Sequence, residues 1–474
     1  MQLISDRENS ATSLALLTGV FWLFIGVTVG ALLAVQFIWP DVVRGIPFLQ
    51  FGRVRPLHVN ILAFGWLSLL NFGAMFYMIP RLCRTALWNE RLANWLVVIW
   101  NLAVLGALIC LPLGITEGRE WAELPWFLDI TVAVGVVILG VIIYKTIAQR
   151  KEPQLYVSVW YFAASIVWIL IIYAVGNRTF TSWIPGFNTG LNDGIVNWFY
   201  AHNVLGLWFT TPGVAIAYYL IPKVTRNPLY SHFLSILGFF TIAMFYAPTG
   251  THHILQSPVP EWAKAISVTS SVMLLVPVVT VLINFFMTFE GKWGTIAEDH
   301  VARFVFVGAV MYLLTCFTGP FQATRAVNTY LHFTQWVVGH AHLALLGTFT
   351  FWGWSAIYYI LPRILKRPMW SKRLITAHFW MAFVGFSLFL IGLTAAGFIQ
   401  ASGWRIGMSV YHTVIMFAPF QYVRTIGGVL LWLSAFAFIY NVYRTAVSAG
   451  RPLGQPAGQA RASLEDAATA VQGS

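Results

Sequence analysis

Charge is what this chain has least of. Only 9% of its 474 residues are Asp, Glu, Lys or Arg, whereas a soluble domain carries about 25%. With hydrophobic residues at 58%, too little polar side chain is left to coat a particle in water, so an ordinary soluble protein is excluded. Cysteine is almost missing too. Cys83, Cys110 and Cys316 are scattered, odd in number and form no CxxC pair, which excludes a disulfide framework and a thiolate metal site. No repeat of 20–50 residues and no soluble domain is visible. The first apolar run is too long for a signal peptide and no small-residue cleavage pattern follows it, so no cleavable leader is expected.

Long apolar runs are abundant instead. About twelve are long enough to span a bilayer, at roughly 20 residues each. They lie near 13–37, 56–80, 92–114, 127–147, 156–176, 198–222, 232–250, 265–288, 302–322, 335–362, 375–397 and 424–445. The fold is therefore read as an all-α integral membrane protein of about twelve transmembrane helices. The formal charge of +12 could suggest nucleic acid, but its distribution argues against that partner. Arg81, Arg84 and Arg91 follow the second run, Lys145, Arg150 and Lys151 the fourth, Lys223 and Arg226 the sixth. Arg363, Lys366, Arg367, Lys372 and Arg373 follow the tenth. Basic residues in alternate loops obey the positive-inside rule and place both termini in the cytoplasm. The chain divides into a cytoplasmic N-terminus (1–12), a twelve-helix domain (13–448) and a tail (449–474). The tail is rich in Gly, Ala, Gln and Pro and is expected to be disordered.

Histidine is rare inside a bilayer because an unpaired polar ring there is expensive. Yet six of the eleven histidines fall at matching depths. His58 and His202 begin apolar runs, His252 and His253 close one, and His340 and His342 lie in the first turns of another. Given the topology, all six belong near the outer leaflet. Two residues on a helix are about 200° apart, so His340 and His342 point to opposite sides and cannot chelate one ion together. They suit two separate large cofactors, one on each side of the helix. His252 and His253 can converge if the helix is locally irregular, as Pro248, Gly250 and Pro258 suggest. With His202 they offer three neutral nitrogens, which suit copper, zinc or non-haem iron. His232, His300, His378 and His412 are read as interfacial hydrogen-bonding residues.

The segments Phe51-Gly52-Arg53-Val54-Arg55-Pro56-Leu57-His58, Gly118-Arg119-Glu120-Trp121-Ala122-Glu123-Leu124, Asn197-Trp198-Phe199-Tyr200-Ala201-His202-Asn203-Val204, His252-His253 and Gly339-His340-Ala341-His342 carry a resemblance. In their order and spacing, over residues 13–445, the chain resembles the catalytic subunit I of cbb(3)-type cytochrome c oxidases, the C family of haem-copper oxidases. The resemblance implies a haem-copper oxidase subunit I bundle in a bacterial cytoplasmic (inner) membrane, reducing O2 to water and coupled to proton translocation. It implies His58 and His342 as axial ligands of a low-spin haem b, and His340 as the proximal ligand of a high-spin haem b(3). It further implies one copper ion on His202, His252 and His253, and partner subunits that are membrane-anchored mono-haem and di-haem c-type cytochromes. Tyr246 stands where the family carries its redox tyrosine, cross-linked to His202. Other oxidase families place the tyrosine four residues after that histidine, where this chain has Gly206. Glu120 resembles a carboxylate that helps hold a calcium ion near the haem propionates, and Arg55 and Arg424 are expected to pair with those propionates. One departure stands out. The family usually has Phe-Glu-Gly-Pro on helix 9; here it is Phe317-Thr318-Gly319-Pro320, so one proton route lacks its carboxylate.

Two other functions compete. A nitric oxide reductase would share the fold and the six histidines but would use non-haem iron with glutamates and no tyrosine. A proton-coupled transporter would need intramembrane histidines but neither the His-x-His nor the His-His pattern. For proton entry, Ser235 lies eleven residues before Tyr246 on helix 7, about three turns or 16 Å along one face. Thr241 and Tyr219 are expected beside that line.

Overall fold

The computed structural model describes residues 4–448. The tail expected at 449–474 lies outside the described residues. Among the described residues twelve helices are long and apolar enough to cross a membrane. In chain order they are α1 (Ser10–Ile38), α2 (Phe51–Leu82), α3 (Glu90–Leu113), α4 (Trp126–Ala148), α5 (Val157–Gly176) and α6 (Gly190–Thr225). The second six are α7 (His232–Ile254), α8 (Glu261–Thr288), α9 (His300–Ala323), α10 (Gln335–Ile364), α11 (Lys372–Arg405) and α12 (Val410–Val447). The all-helical reading and the number of spans agree with the sequence.

Four of the six starts at the end opposite the histidines are capped by short polar side chains. Asn89, Ser231, Asp299 and Ser371 accept hydrogen bonds from Leu92, Leu234, Ala302 and Leu374 at the starts of α3, α7, α9 and α11. Each cap satisfies a backbone donor that the first turn leaves orphaned.

Three helices form the centre. The most apolar windows of α2, α6 and α10 are 89%, 94% and 83% buried, against 28–50% in the other nine. All three widen into a π-helical stretch just after their histidines: Ile61–Leu67, Leu205–Thr210 and Leu343–Thr350. There the hydroxyls of Ser68, Thr210, Thr348 and Thr350 donate to carbonyls five residues back. The widened turns also clasp one another. Trp208 Nε1 donates to Ser68 Oγ, Asn71 Nδ2 to the Trp208 carbonyl, and Trp66 Nε1 to Thr350 Oγ1, each at 3.0 Å. Single π turns inside α-helices cluster at functional sites. Here they lock three helices side by side below the histidines.

Some boundaries run further than hydropathy suggested. α12 begins at Val410 rather than near 424, and Gln421 in the added stretch is buried inside the bundle although it is polar. α6 begins at Gly190 rather than 198. α8 is interrupted after Met273, where Pro277 has no N–H to give the Met273 carbonyl. α11 and α12 approach so closely that a Cβ on Gly385 would lie 2.9 Å from the Gly427 carbonyl oxygen. His378 is not interfacial. It is fully buried, with Nδ1 2.9 Å from the Tyr358 hydroxyl and its ring among Phe304, Trp354 and Phe438.

Candidate metal centre

His58 on α2 and His342 on α10 face one another. Their rings are 24° from parallel with centroids 6.3 Å apart. His58 Nδ1 lies 2.8 Å from the Gly26 carbonyl of α1, and His342 Nδ1 2.8 Å from the Val338 carbonyl. A carbonyl only accepts, so each Nδ1 carries the proton and each Nε2 is left free. The His58 ring also leans on Gly30, where a Cβ would come within 2.7 Å of it. Metal–imidazole bonds are about 2 Å long, so two of them, extended to the ring centres, span about 6 Å. The spacing of the pair therefore fits one haem iron that both rings would hold. Two residues earlier, His340 turns the other way, toward α9, where Thr318 Oγ1 is 2.9 Å from its Nδ1. Trp336 stacks parallel to the His340 ring at 6.0 Å.

The second cluster is built by α6 and α7. Past Tyr246, α7 tightens into a 3₁₀ stretch, Ala247–Ile254. Gly250 there lies against the Trp198 backbone, with no room for a side chain. The tightening brings His252 and His253 to 4.4 Å between ring centroids. His202 meets both, at 4.4 and 5.1 Å. One nitrogen from each of the three lies within 4.8 Å of the others. Among the described residues this is the group of metal-type ligands so arranged, and it contains no carboxylate. His252 Nδ1 is 2.8 Å from Ser271 Oγ, whose own proton goes to the Ser267 carbonyl. His253 stacks on Trp198 at 4.0 Å. Three imidazoles, one with its second nitrogen held by a neighbour, fit one transition-metal ion.

Tyr246 stands beside this group. Its ring centroid is 5.0 Å from that of His202, with planes 22° apart. Among the described residues His202 Nε2 is buried without a hydrogen-bond partner. The phenol ring fills the space that a side chain at residue 206 would take, so Gly206 is what admits Tyr246.

The charged residues at the histidine end sort differently from one another. Arg55 Nη2 pairs with Glu120 at 2.5 Å, and Nη1 lies 3.9 Å from Glu123. Glu123 is buried and accepts from Asn60 Nδ2 at 3.0 Å. Burial pushes its carboxyl above the usual range, against the Asn60 bond and the Arg55 charge. Arg119, which sequence reasoning gave no role, is buried, donates to the Gly176 carbonyl and faces Asp193 at 3.2 Å. Burial lowers its pKa, with Asp193 acting the other way. Arg424 is buried under Phe37 and Phe389, with Nη1 on Gln421 Oε1. Its Nε and Gln421 Nε2 have no partner among the described residues. Phe389 also packs on His342 at 4.9 Å, so two orphaned donors sit close to the facing histidine pair.

The expected proton line is not one hydrogen-bonded chain. Ser235 is buried and donates to the His232 carbonyl, Thr241 donates to the Leu237 carbonyl, and the Tyr219 ring packs against Tyr359 at 6.0 Å. Sequence reasoning missed Tyr161 on α5, whose buried hydroxyl has no partner among the described residues and lies near Gly238 of α7, the helix that carries Ser235. It also missed Ser271, because a serine inside an apolar run carries no signal of what it touches.

Residues 10–430 match the family described as Cytochrome C and Quinol oxidase polypeptide I. The chain is 33% identical to the Cbb3-type cytochrome c oxidase subunit CcoN1 of Stutzerimonas stutzeri, over 91% of this chain and 94% of that one. It is 26% identical to a nitric oxide reductase polypeptide of the same organism, over 88% and 91%. A cryo-EM structure of a heme-copper terminal oxidase dimer superposes with a TM-score of 0.78, at 16% identity, covering 95% of this chain and 86% of that one.

Ser271→Ala should leave His252 Nδ1–H buried without an acceptor and loosen the three-histidine site. Loss of such an orienting partner costs 10- to 100-fold in metal affinity, read as metal lost at lower chelator concentration. A chelator titration matching the parent would show that Ser271 does not orient His252.

Proposed function

The chain belongs to the cytochrome c and quinol oxidase polypeptide I family, among the cbb(3)-type subunits, and from that premise we propose how its residues divide the work. The protein is the oxygen-reducing catalytic subunit of a haem-copper cytochrome c oxidase, a multi-pass membrane protein and one subunit of a larger complex. Bound to it, haems and copper supply the redox chemistry that takes O2 to water.

In our reading His58 and His342 would hold a low-spin haem b through their free Nε2 atoms, and His340 would hold a high-spin haem b(3). His202, His252 and His253 hold one copper ion. The observation that carries this assignment is the second nitrogen of the rings. His58, His342, His340 and His252 each have Nδ1 fixed on a carbonyl or hydroxyl oxygen, the pattern that sets the tautomer of a metal-bound histidine. Tyr246 serves as proton and electron donor to oxygen at the centre. It is joined to His202 by a carbon–nitrogen link whose place is supported by the unpartnered His202 Nε2.

Arg424 and Gln421 offer their free N–H groups to a propionate, the planar acceptor a buried guanidinium lacks here. Arg55 with Glu120 and Glu123 forms the rim where a calcium ion and the remaining propionates meet. Protons reach Tyr246 from the cytoplasmic side through Ser235, Thr241 and Tyr219 with intervening water. The two hydroxyls on α7 spend their protons on carbonyls but keep lone pairs for water. Electrons come from membrane-anchored mono-haem and di-haem c-type cytochromes. The termini are cytoplasmic and the membrane is the bacterial inner membrane. Coupled proton translocation belongs to the same reading.

Oxygen rather than nitric oxide is favoured by Tyr246 beside the trio, by the lack of a carboxylate in that group, and by the lower identity to the nitric oxide reductase.

Replacing His58 with Ala should abolish the low-spin b spectrum and leave the high-spin signal in place. An unchanged low-spin spectrum would remove His58 from the ligand set. In a digest of the parent, the peptides holding His202 and Tyr246 should run joined. In Gly206→Ala they should run apart, because the added methyl takes the phenol's place. Separate, unmodified peptides from active parent enzyme would contradict the link.

A further inference from the structure

Thr318 stands where the resemblance leads one to expect a glutamate, and it lies against His340. We propose that Thr318 is a positioning residue for the axial imidazole of His340, supplying an uncharged acceptor that fixes its tautomer and sets the potential of the high-spin haem. The inference rests on the reading of His340 as that haem's ligand.

The carbonyls beside the hydroxyl favour one direction for the bond. Thr318 Oγ1 lies 2.9 Å from the Leu314 carbonyl and 3.0 Å from the Thr315 carbonyl. A carbonyl cannot donate, so the single hydroxyl proton is committed to the helix backbone. At 2.9 Å from His340 Nδ1, the hydroxyl oxygen can then only accept. Nδ1 is protonated and Nε2 faces away, free for iron. Trp336 is parallel to the ring at 6.0 Å, and a Cβ on Gly319 would sit 3.5 Å from His340 Cε1. The ring is thus fixed in direction by one hydroxyl and in plane by its neighbours.

An acceptor on the far nitrogen raises the basicity of the ligating one and favours the oxidised metal. A carboxylate would do so strongly, since charged acceptors make roughly twice the bond of neutral ones. A threonine hydroxyl does so mildly. This chain therefore holds its proximal histidine as a nearly neutral imidazole, and a potential higher than a carboxylate would give follows from that. Thr318 acts on the ligand and not as a proton carrier, because its only proton is already bound to the backbone.

The test uses the purified whole complex and two readouts that need no turnover. These are the iron–histidine stretching band of the reduced high-spin haem by resonance Raman, and its midpoint potential by spectroelectrochemical titration. Thr318→Val keeps the shape and removes the acceptor. It should lower the band frequency and shift the one-electron equilibrium about tenfold toward the reduced form, about 59 mV upward. Thr318→Ser should restore both values to those of the parent. If Thr318→Val matches the parent, or if Ser and Val shift alike, the hydroxyl sets nothing and the proposal falls. His340→Gly separates the two levels of the argument. Loss of the iron–histidine band there upholds the ligand assignment, and its persistence overturns that assignment together with the role of Thr318.

Discussion

An imidazole has two nitrogens, and inside a membrane neither can be left to water. That constraint organises this protein. Of the six clustered rings, His58, His340, His342 and His252 each fix Nδ1 on an oxygen of the protein, and three of those oxygens come from neighbouring helices: the Gly26 carbonyl for His58, Thr318 for His340, Ser271 for His252. Removing one acceptor leaves an unsatisfied buried N–H, at about 1–3 kcal/mol. It also frees the ring to turn. Ligand geometry and helix packing are therefore the same problem in this bundle.

The three central helices show how that problem is solved. α2, α6 and α10 each carry a histidine, widen by one residue into a π turn and bind one another through Trp66, Trp208, Ser68 and Thr350. The widened turn changes the angular register of the helix, so the histidines can face inward while the segments beyond still pack as ordinary helices. Glycine does the remaining work where backbones or rings must come close. Gly30 admits the His58 ring, Gly250 the Trp198 backbone and Gly206 the Tyr246 phenol.

Much of this is legible in the residues alone. Long apolar runs give twelve spans, and the His340–His342 spacing predicts rings on opposite faces, as their different neighbours show. Pro248 and Gly250 foretell the irregular end of α7. What stays hidden has a physical reason. Ser271, Thr318 and Tyr161 are ordinary polar residues in apolar helices until the packing reveals what they face. The first fourteen residues of α12 fall outside the apolar run read at 424–445, yet Gln421 among them is buried and accepts from Arg424. His378 looked like an interface residue because sequence gives depth along a helix but not the face it presents.

The account turns on what the six histidines hold, and the most direct measurement is elemental analysis of the purified chain beside a haem assay. Copper equimolar with the chain, and iron accounted for entirely by haem, is the predicted result. Non-haem iron in place of copper would contradict it and would make the three-histidine group the iron site of a nitric oxide reductase.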